Sequence, residues 1–222
     1  MSVDATQHEP STAEAEASRT NIRLSDVVAS TLLAFAGIAT SWSSYQATLW
    51  SGVQAKHYSD ANALRVTAAR EATMAGQFAL IDVTAFESWA NAYAARNAEL
   101  QAFYRARFRP EFRPAFEAWL SLDPMHDPRA PPTPFAMPGY RLSHQQLALQ
   151  LEQRAGAVSS AGNVANGNSD RFVRGAVLFA TVMFFAGIGQ QFRTIRVRLA
   201  LLGFAVAVLI FGTITVALYP RA

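Results

Sequence analysis

Three runs of the chain lack charged residues, and two of them lie in its last quarter. Residues 175–192 and 199–219 are predominantly apolar, and only a short basic segment separates them. A helix needs roughly 20 mostly apolar residues to cross the hydrocarbon core of a bilayer. The pattern therefore predicts a hairpin of two transmembrane helices, at 171–192 and 199–219. A buried hairpin in a soluble protein is the alternative, but three arginines in so short a turn (193–198) argue against it.

The third uncharged run, residues 27–55, is apolar in its first half and more polar in its second. Trp42, Tyr45 and Trp50 fall where the aromatic belt of a membrane interface is expected, which favours a retained transmembrane helix at 25–50. A signal peptide is the competing interpretation, because basic residues precede a short apolar core and an Ala-Phe-Ala segment resembles a cleavage site. The uncharged run continues well beyond that site, so we favour the retained helix.

Small and hydroxyl-bearing residues recur every four positions in the first span, at Ala36, Thr40, Ser44 and Thr48. This spacing places them on one side of the helix, where small side chains let transmembrane backbones approach closely. We expect this face to pack within a three-helix bundle or against another protomer. A polar pathway lined by the hydroxyls is the alternative, but such pathways usually carry an ionisable group at mid-membrane, and the uncharged runs offer none.

Arginines concentrate in the turn between the last two spans, at Arg193, Arg196 and Arg198. Basic residues in short loops stay on the cytoplasmic side of a membrane, which predicts a cytoplasmic turn and a cytoplasmic N-terminus. The polar residues 1–24 contain few large apolar side chains and are predicted to be a disordered tail on that side. The long segment 51–170 would then be exported. In a bacterium with two membranes it would be periplasmic, with the chain in the inner membrane.

The exported segment is predicted to be mostly helical. Residues 54–108 contain no proline and are rich in alanine, the best helix former, and this helix must end before Pro110. Residues 123–142 are proline-rich and are predicted to be an irregular loop. One stripe of the helix carries side chains at steps of three or four: Phe78, Asp82, Phe86, Trp89, Tyr93, Arg96, Leu100 and Phe103.

The rising helix is much longer than the arm that returns to the membrane. Either the proline-rich loop runs back along it, or it folds near Gly76 into an additional antiparallel helix. Both arms carry a glycine where they leave the membrane, and glycine permits a kink or close packing. We expect Ser51 and Gly52 on the first arm to lie beside residues 166–168 on the second.

The stretch 104–119 interleaves arginine with aromatic residues. Such a mixture binds phosphates, acidic glycans, lipid headgroups or an acidic protein surface, and it is a candidate interaction surface. In the alternative, the arginines complement a helix C-terminus, pair with Glu99, Glu111 and Glu117, and flank an aromatic cap. The residues of the candidate surface are Tyr104, Arg105, Arg107, Phe108, Arg109, Phe112, Arg113, Phe116 and Trp119.

Other chemistry finds little support in the sequence. The chain has no cysteine, which excludes disulfides and thiolate sites, and its formal charge of +3 is too small and scattered to indicate nucleic-acid binding. Asp123, His126 and Asp127 lack a second histidine nearby, and turn formation explains them better than a metal. Asp82 and Arg96 lie too far apart to pair along one helix; each either pairs with a neighbouring helix or subunit or merely flanks the stripe. No phosphate loop, nucleophile elbow or metalloprotease helix occurs, and we expect neither enzymatic activity nor a cofactor.

Residues 41–61, 103–119 and 134–140, with the terminal hairpin, resemble a family of bacterial three-span inner-membrane proteins of unknown function. The resemblance implies an architecture and no activity. The predicted fold is an all-α membrane protein with three transmembrane helices and a long helical extramembrane bundle between the first and the second. The leading hypothesis is a non-enzymatic protein in contact with membrane lipid, whose exported domain mediates self-assembly or contacts with a partner complex. The alternatives are an oligomeric channel with a hydroxyl-lined first helix, and a sensor that transmits ligand binding through the bundle.

Overall fold

The computed structural model describes residues 12–192 and 194–222, with side chains described from Leu24 onward. All the regular secondary structure elements within these residues are helices, and no strand occurs. The helices are α1 (Thr12–Ala94), α2 (Ala98–Ala106), α3 (Arg113–Leu120), a 3-10 helix (Pro134–Ala136), α4 (Ser143–Gly189) and α5 (Ile195–Ala217).

The chain forms two compact units. The first, here called the membrane unit, contains the residues up to Lys56 together with Ala161–Ala222. The second, the extramembrane unit, is His57–Ser160. Both α1 and α4 contribute residues to each unit, whereas α5 belongs to the membrane unit and α2 and α3 belong to the extramembrane unit.

The membrane unit is built from three helices, α1, α4 and α5, that are long and apolar enough to cross a bilayer. Its core is made mainly of small side chains, including Ala29, Ala36 and Ala186. In the most apolar window of each helix only 22 to 33% of residues are buried, and large side chains such as Phe35 and Phe184 are at least 60% exposed. Because an apolar outer surface of this extent is stable in lipid rather than in water, the chain is an all-α membrane protein with three transmembrane helices, which confirms the predicted fold class.

The first helix begins earlier than the sequence pattern indicated. α1 starts at Thr12, so it includes residues 12–24, which were predicted to belong to a disordered tail. Residues 1–11 of that tail lie outside the described part of the chain. The reason for the difference is that alanine and glutamate alternate at the start of this segment and are good helix formers. Extending an existing helix also costs far less free energy than nucleating a new one.

In the extramembrane unit, α1 packs against the first turns of α4 along a seam of small side chains. The buried positions of α1 recur every seven residues: Ala61, Ala68, Ala75, Asp82 and Trp89. α4 contributes Ala148 and Ala155 at the same spacing, and Arg65 of α1 lies 3.8 Å from Glu152 of α4. A seven-residue repeat is that of a left-handed coiled coil, and alanine at the contact lets the two helices approach closely.

The rising helix also ends earlier than predicted, because residues 95–97 separate α1 from α2. Arg96 adopts a left-handed conformation with φ of 55°. Its N–H donates to the carbonyl of Tyr93, and the N–H of Asn97 donates to that of Ala92, which is the hydrogen-bond pattern of a Schellman C-cap. The side chain of Asn97 then accepts from an N–H in the first turn of α2. The single helix predicted through residue 108 is therefore two helices.

The proline-rich loop brings the chain back along α1. The helix continues through Gly76 without a break, and the hydroxyl of Tyr140 near the end of the loop donates to Asp82 of α1. Of the two routes expected, the return along the helix is the one found. In the membrane unit, the hydroxyl oxygens of Ser51 and Ser169 are 3.1 Å apart, which confirms that the two arms are adjacent where they were expected to be.

Candidate functional site

Aromatic side chains form the core of the extramembrane unit. Phe116 lies at its centre and contacts the rings of Phe108 and Trp89 edge-to-face, with centroids 4.7 and 4.8 Å away. This edge-to-face arrangement places the positive ring edge against the negative ring face and adds to the free energy gained by burial. The fully buried members of the cluster are Trp89, Phe108, Phe112, Phe116 and Trp119.

This burial decides between the two interpretations for the apolar members of the candidate surface. Phe108, Phe112, Phe116 and Trp119 lie inside the unit, which agrees with the alternative of an aromatic cap and removes them from the candidate surface. The physical reason is the break at Arg96, which lets α2 and α3 fold over the aromatic stripe of α1. A helix continuing through residue 108 would have left the aromatic residues on both segments exposed.

The arginines of residues 104–119 agree better with the alternative, in which they pair with glutamates and flank the aromatic cap. Arg105 forms an ion pair with Glu117, and the guanidinium of Arg107 lies 3.5 Å from the ring centroid of Phe103. These contacts hold the side chains along the surface of their own segment. The members of the predicted surface that remain exposed are Arg105, Arg107 and Arg113, with Tyr104 half-buried.

A buried carboxylate, Asp82, organises a polar cluster beside the aromatic core. Only 1% of its side chain is exposed, and its Oδ2 accepts from Nη1 of Arg109 at 2.8 Å and from the hydroxyl of Tyr140 at 3.1 Å. Arg109 also donates to Glu111 at 2.5 Å, and Glu111 accepts from the hydroxyl of Ser143 at 2.5 Å. The cluster therefore joins α1, the turn between α2 and α3, the end of the loop and the start of α4. Of the alternatives that the sequence left open for Asp82, pairing with a neighbouring element is the one found.

Burial determines the protonation of this cluster. It raises the pKa of Asp82 above the ordinary value of 3.8 and outweighs the opposing effect of Arg109. Burial, followed by the nearby charge of Asp82, raises the pKa of Tyr140 to about 12, so its hydroxyl remains a hydrogen-bond donor at neutral pH. The hydroxyl of Ser143, with Arg109, lowers the pKa of Glu111. Asp82 accepts from two donors, and Arg109 and Glu111 extend the contacts to Ser143. The cluster is therefore suited to holding four segments together.

A second polar pair lies next to this cluster. Nδ1 of His144 is 2.5 Å from a carboxylate oxygen of Glu71, and the His144 ring lies 5.2 Å from that of Phe78. The guanidinium of Arg109 lies 4.2 Å from the centroid of the same phenylalanine ring. The sequence reasoning missed both Glu71 and His144. The available signal was that Glu71 precedes Phe78 by seven residues, the repeat of the α1 seam.

Metal ligation is not indicated by the described side chains. Within residues 24–192 and 194–222, no group of three or more His, Asp or Glu side chains could hold a metal ion. Nδ1 of His126 lies 2.8 Å from a carboxylate oxygen of Asp123, and Asp127 pairs with Arg129 at 3.1 Å. These are surface contacts within the loop, of the kind that stabilise turns.

The residues predicted to share a packing face on the first span have different environments within the chain. Ala36 is fully buried, Thr40 is half-buried, and Ser44 and Thr48 are exposed on the outer surface of the membrane unit. A four-residue step advances roughly 40° around a helix, so the fourth member lies far from the first. Ser43, seven residues after Ala36, is fully buried, and its hydroxyl oxygen has no hydrogen-bond partner among the described residues.

The arginines assigned to membrane topology have different environments. Arg193 lies outside the described residues, and Arg196 is exposed. Arg198 is 95% buried and forms an ion pair with Asp26 of α1. A buried arginine needs such a partner, because removing an unpaired charge from water costs several kcal/mol. The basic turn therefore also fastens α5 to α1.

No family model, no curated protein and no solved structure matches this chain. Its function is therefore argued from the geometry of its two units.

Proposed function

We propose that this protein is a non-enzymatic component of the bacterial inner membrane whose extramembrane unit binds a second copy of itself or a partner complex. The resemblance to bacterial three-span inner-membrane proteins supports the location. The observation that carries the proposal is a line of exposed apolar side chains on α1, here called the apolar strip. It consists of Val66, Met74, Leu80 and Ile81, with exposed fractions of 46, 39, 68 and 52%.

The apolar strip lies on a side of α1 that no other element of the described chain covers. Val66 and Leu80 are separated by two seven-residue repeats and are offset from the buried positions Ala68 and Ala75, so the seam with α4 leaves them uncovered. Exposed apolar residues grouped along one helix indicate a protein interaction site more than scattered ones do. An apolar helix face buries its side chains when a second helix packs along it.

Disulfide cross-linking tests the proposal directly, because the chain has no cysteine of its own. Leu80→Cys, oxidised in native membranes, is expected to give a covalent homodimer or a discrete adduct with one partner on a non-reducing gel. Arg129→Cys is the control, since its side chain is 89% exposed in the loop and lies off the strip. If both variants remain monomeric, or if both cross-link equally, the strip is not an assembly surface.

The same single-cysteine chains test the orientation. The exposed arginine at 196 and the short turn support a cytoplasmic turn and N-terminus. We expect a membrane-impermeant maleimide to label Arg129→Cys from outside the inner membrane, and to label Gln190→Cys in the turn only after lysis. The reverse pattern would mean that the extramembrane unit is cytoplasmic.

The second candidate function is an oligomeric channel or transport component. It is favoured by the exposure of Ser44 and Thr48 on the outer surface of the membrane unit, where several protomers could place them around a common axis. It ranks second because the hydroxyls of Thr40 and Thr48 donate to carbonyls one turn earlier in their own helix, at 2.7 and 3.0 Å. Their hydroxyl protons are therefore already engaged and are not offered to a transported species. Ion conductance in liposomes that is lost in Ser44→Leu would reverse this order.

A further inference from the structure

A groove runs along the outer surface of the membrane unit between α1 and the first turns of α5. Its volume is about 430 Å³, within the range of pockets that hold a small ligand. Ser25 and Leu202 are buried residues of its lining, whereas Leu24, Val28 and Leu199 are exposed. The lining is predominantly apolar, and the groove opens onto the surface that contacts lipid.

Gly203 lines this groove. A Cβ atom placed on Gly203 would meet no neighbouring atom within 4 Å, so the glycine is not required for close packing between helices. A large side chain at this position would have room to extend into the groove. An empty groove of this size in contact with a bilayer is filled by the hydrocarbon that surrounds it, because apolar surface there meets acyl chains and not water.

Basic side chains lie at the end of the groove nearest the turn. Arg196 is exposed and precedes Leu199 and Gly203 by one and two turns on the same side of α5. Among the described residues, no ion pair involves Arg196, whereas Arg198 pairs with Asp26. Nε of Arg198 is buried and has no hydrogen-bond partner among the described residues. The net charge of Arg196, Arg198 and Asp26 together is +1. Asp26 compensates Arg198, and no carboxylate among the described residues compensates Arg196.

We propose that this groove binds one acyl chain of an anionic phospholipid, whose phosphate pairs with Arg196. The apolar lining accommodates the chain, the basic residue recognises the headgroup, and the separation of the two matches the order of headgroup and hydrocarbon in a leaflet. A guanidinium binds a phosphate through two parallel hydrogen bonds. An anionic headgroup is favoured over a zwitterionic one because its net negative charge attracts Arg196, whereas the cation of a zwitterionic headgroup repels it. The proposal rests on the membrane unit alone and is independent of any assembly through the apolar strip.

Native mass spectrometry of the full chain, released from detergent micelles containing phosphatidylglycerol or phosphatidylcholine, tests the site. The wild type is expected to retain one phosphatidylglycerol more tightly than any phosphatidylcholine. Arg196→Gln is expected to weaken phosphatidylglycerol retention about five-fold, since one basic side chain near an anionic lipid surface contributes about 1 kcal/mol. Gly203→Leu is expected to abolish retention by filling the groove.

Ala180→Leu is the matched control, because it introduces the same leucine side chain at an exposed position of α4 away from the groove. It is expected to retain lipid as the wild type does. Far-UV circular dichroism verifies that each variant is folded, and if Gly203→Leu loses helix, Arg196→Gln decides the question. Equal retention of both lipids by the wild type, unchanged retention in Arg196→Gln or in a folded Gly203→Leu, or loss in Ala180→Leu would each overturn the assignment.

Discussion

Two substitutions of Asp82 separate the effect of its charge on stability from the effect of its side-chain shape. Asp82→Ala removes the acceptor for both Arg109 and Tyr140 and leaves space in the core. A hydrogen bond to a charged group contributes roughly 1.5–3 kcal/mol and a neutral one about 1. Because Arg109 keeps Glu111 as a partner, we expect a loss of about 2–4 kcal/mol in the free energy of unfolding.

Asp82→Asn keeps the shape and an acceptor oxygen and removes only the charge. The raised pKa of Asp82 means that burial disfavours the ionised form even with Arg109 beside it. Exchanging a buried ion pair for a neutral group of similar shape is often close to neutral. We therefore expect the free energy of unfolding of this variant to lie within about 1 kcal/mol of the wild-type value at pH 7, by analogy with those exchanges.

The two variants also differ in how stability depends on pH. The folded state binds a proton at Asp82 more tightly than the unfolded state, so this group's contribution to stability is full below its ordinary pKa of 3.8 and is lost as pH rises through its raised folded pKa. Asp82→Asn lacks this loss. Its stability relative to the wild type should therefore increase as the pH rises from about 4 through the raised folded pKa of Asp82.

Thermal unfolding in detergent, followed by the fluorescence of Trp89 and Trp119 in the core, measures these effects. Asp82→Ala should lower the Tm by roughly 5–15 °C, since 1 kcal/mol corresponds to about 2–4 °C in a chain of this size. Replacing Trp42 and Trp50 by Phe removes the signal of the membrane unit. If Asp82→Asn costs as much as Asp82→Ala, or if its cost grows with pH, the charge of Asp82 is stabilising and the reasoning from burial is wrong.

Two further predictions concern single backbone positions. Arg96→Gly should raise the stability of the extramembrane unit by about 0.5–1 kcal/mol, because glycine adopts a left-handed conformation without steric cost, whereas Arg96→Ala should leave it unchanged; equal effects of the two in thermal unfolding would contradict this. Gly175→Ala should destabilise the membrane unit by about 1–3 kcal/mol, because a Cβ there would lie 2.5 Å from a methyl group of Val216. Gly167→Ala in the same helix is the control, because a Cβ there meets nothing within 4 Å; it should stabilise the membrane unit by up to about 1 kcal/mol through helix propensity. If unfolding in detergent shows that Gly175→Ala and Gly167→Ala change the stability in the same direction, Gly175 is not a close contact.

The membrane helices could be predicted from the sequence because lipid leaves the backbone few alternatives. Every buried N–H and C=O must be satisfied within the segment, so a long uncharged run is read as a helix with little ambiguity. The aromatic stripe from Phe78 to Tyr93 was recognised for a similar reason, since large side chains mark helical periodicity clearly. The seam with α4 is harder to predict, because alanines such as Ala61 and Ala68 give a weak hydrophobic signal.

The polar cluster and the break after α1 could not be predicted from local pattern. Asp82 and Tyr140 are 58 residues apart, and only the folded path of the loop brings them together. Arg96 ends α1 in a conformation that usually calls for glycine, so its residue type carried no warning of a helix end. Once that end is missed, the fold of α2 and α3 over α1 is missed too, and buried rings such as Phe112 are taken for surface.

The seam between α1 and α4 also restricts how the length of the extramembrane unit can change. Removing the seven residues 62–68 from α1, together with the seven residues 149–155 from α4, would return every remaining alanine of the seam to an equivalent neighbour. Removing four from each would rotate the contact faces by roughly 50° and turn charged positions inward. Insertions and deletions in this region should therefore be tolerated in paired multiples of seven, so that chains built on the same plan differ in reach by whole repeats.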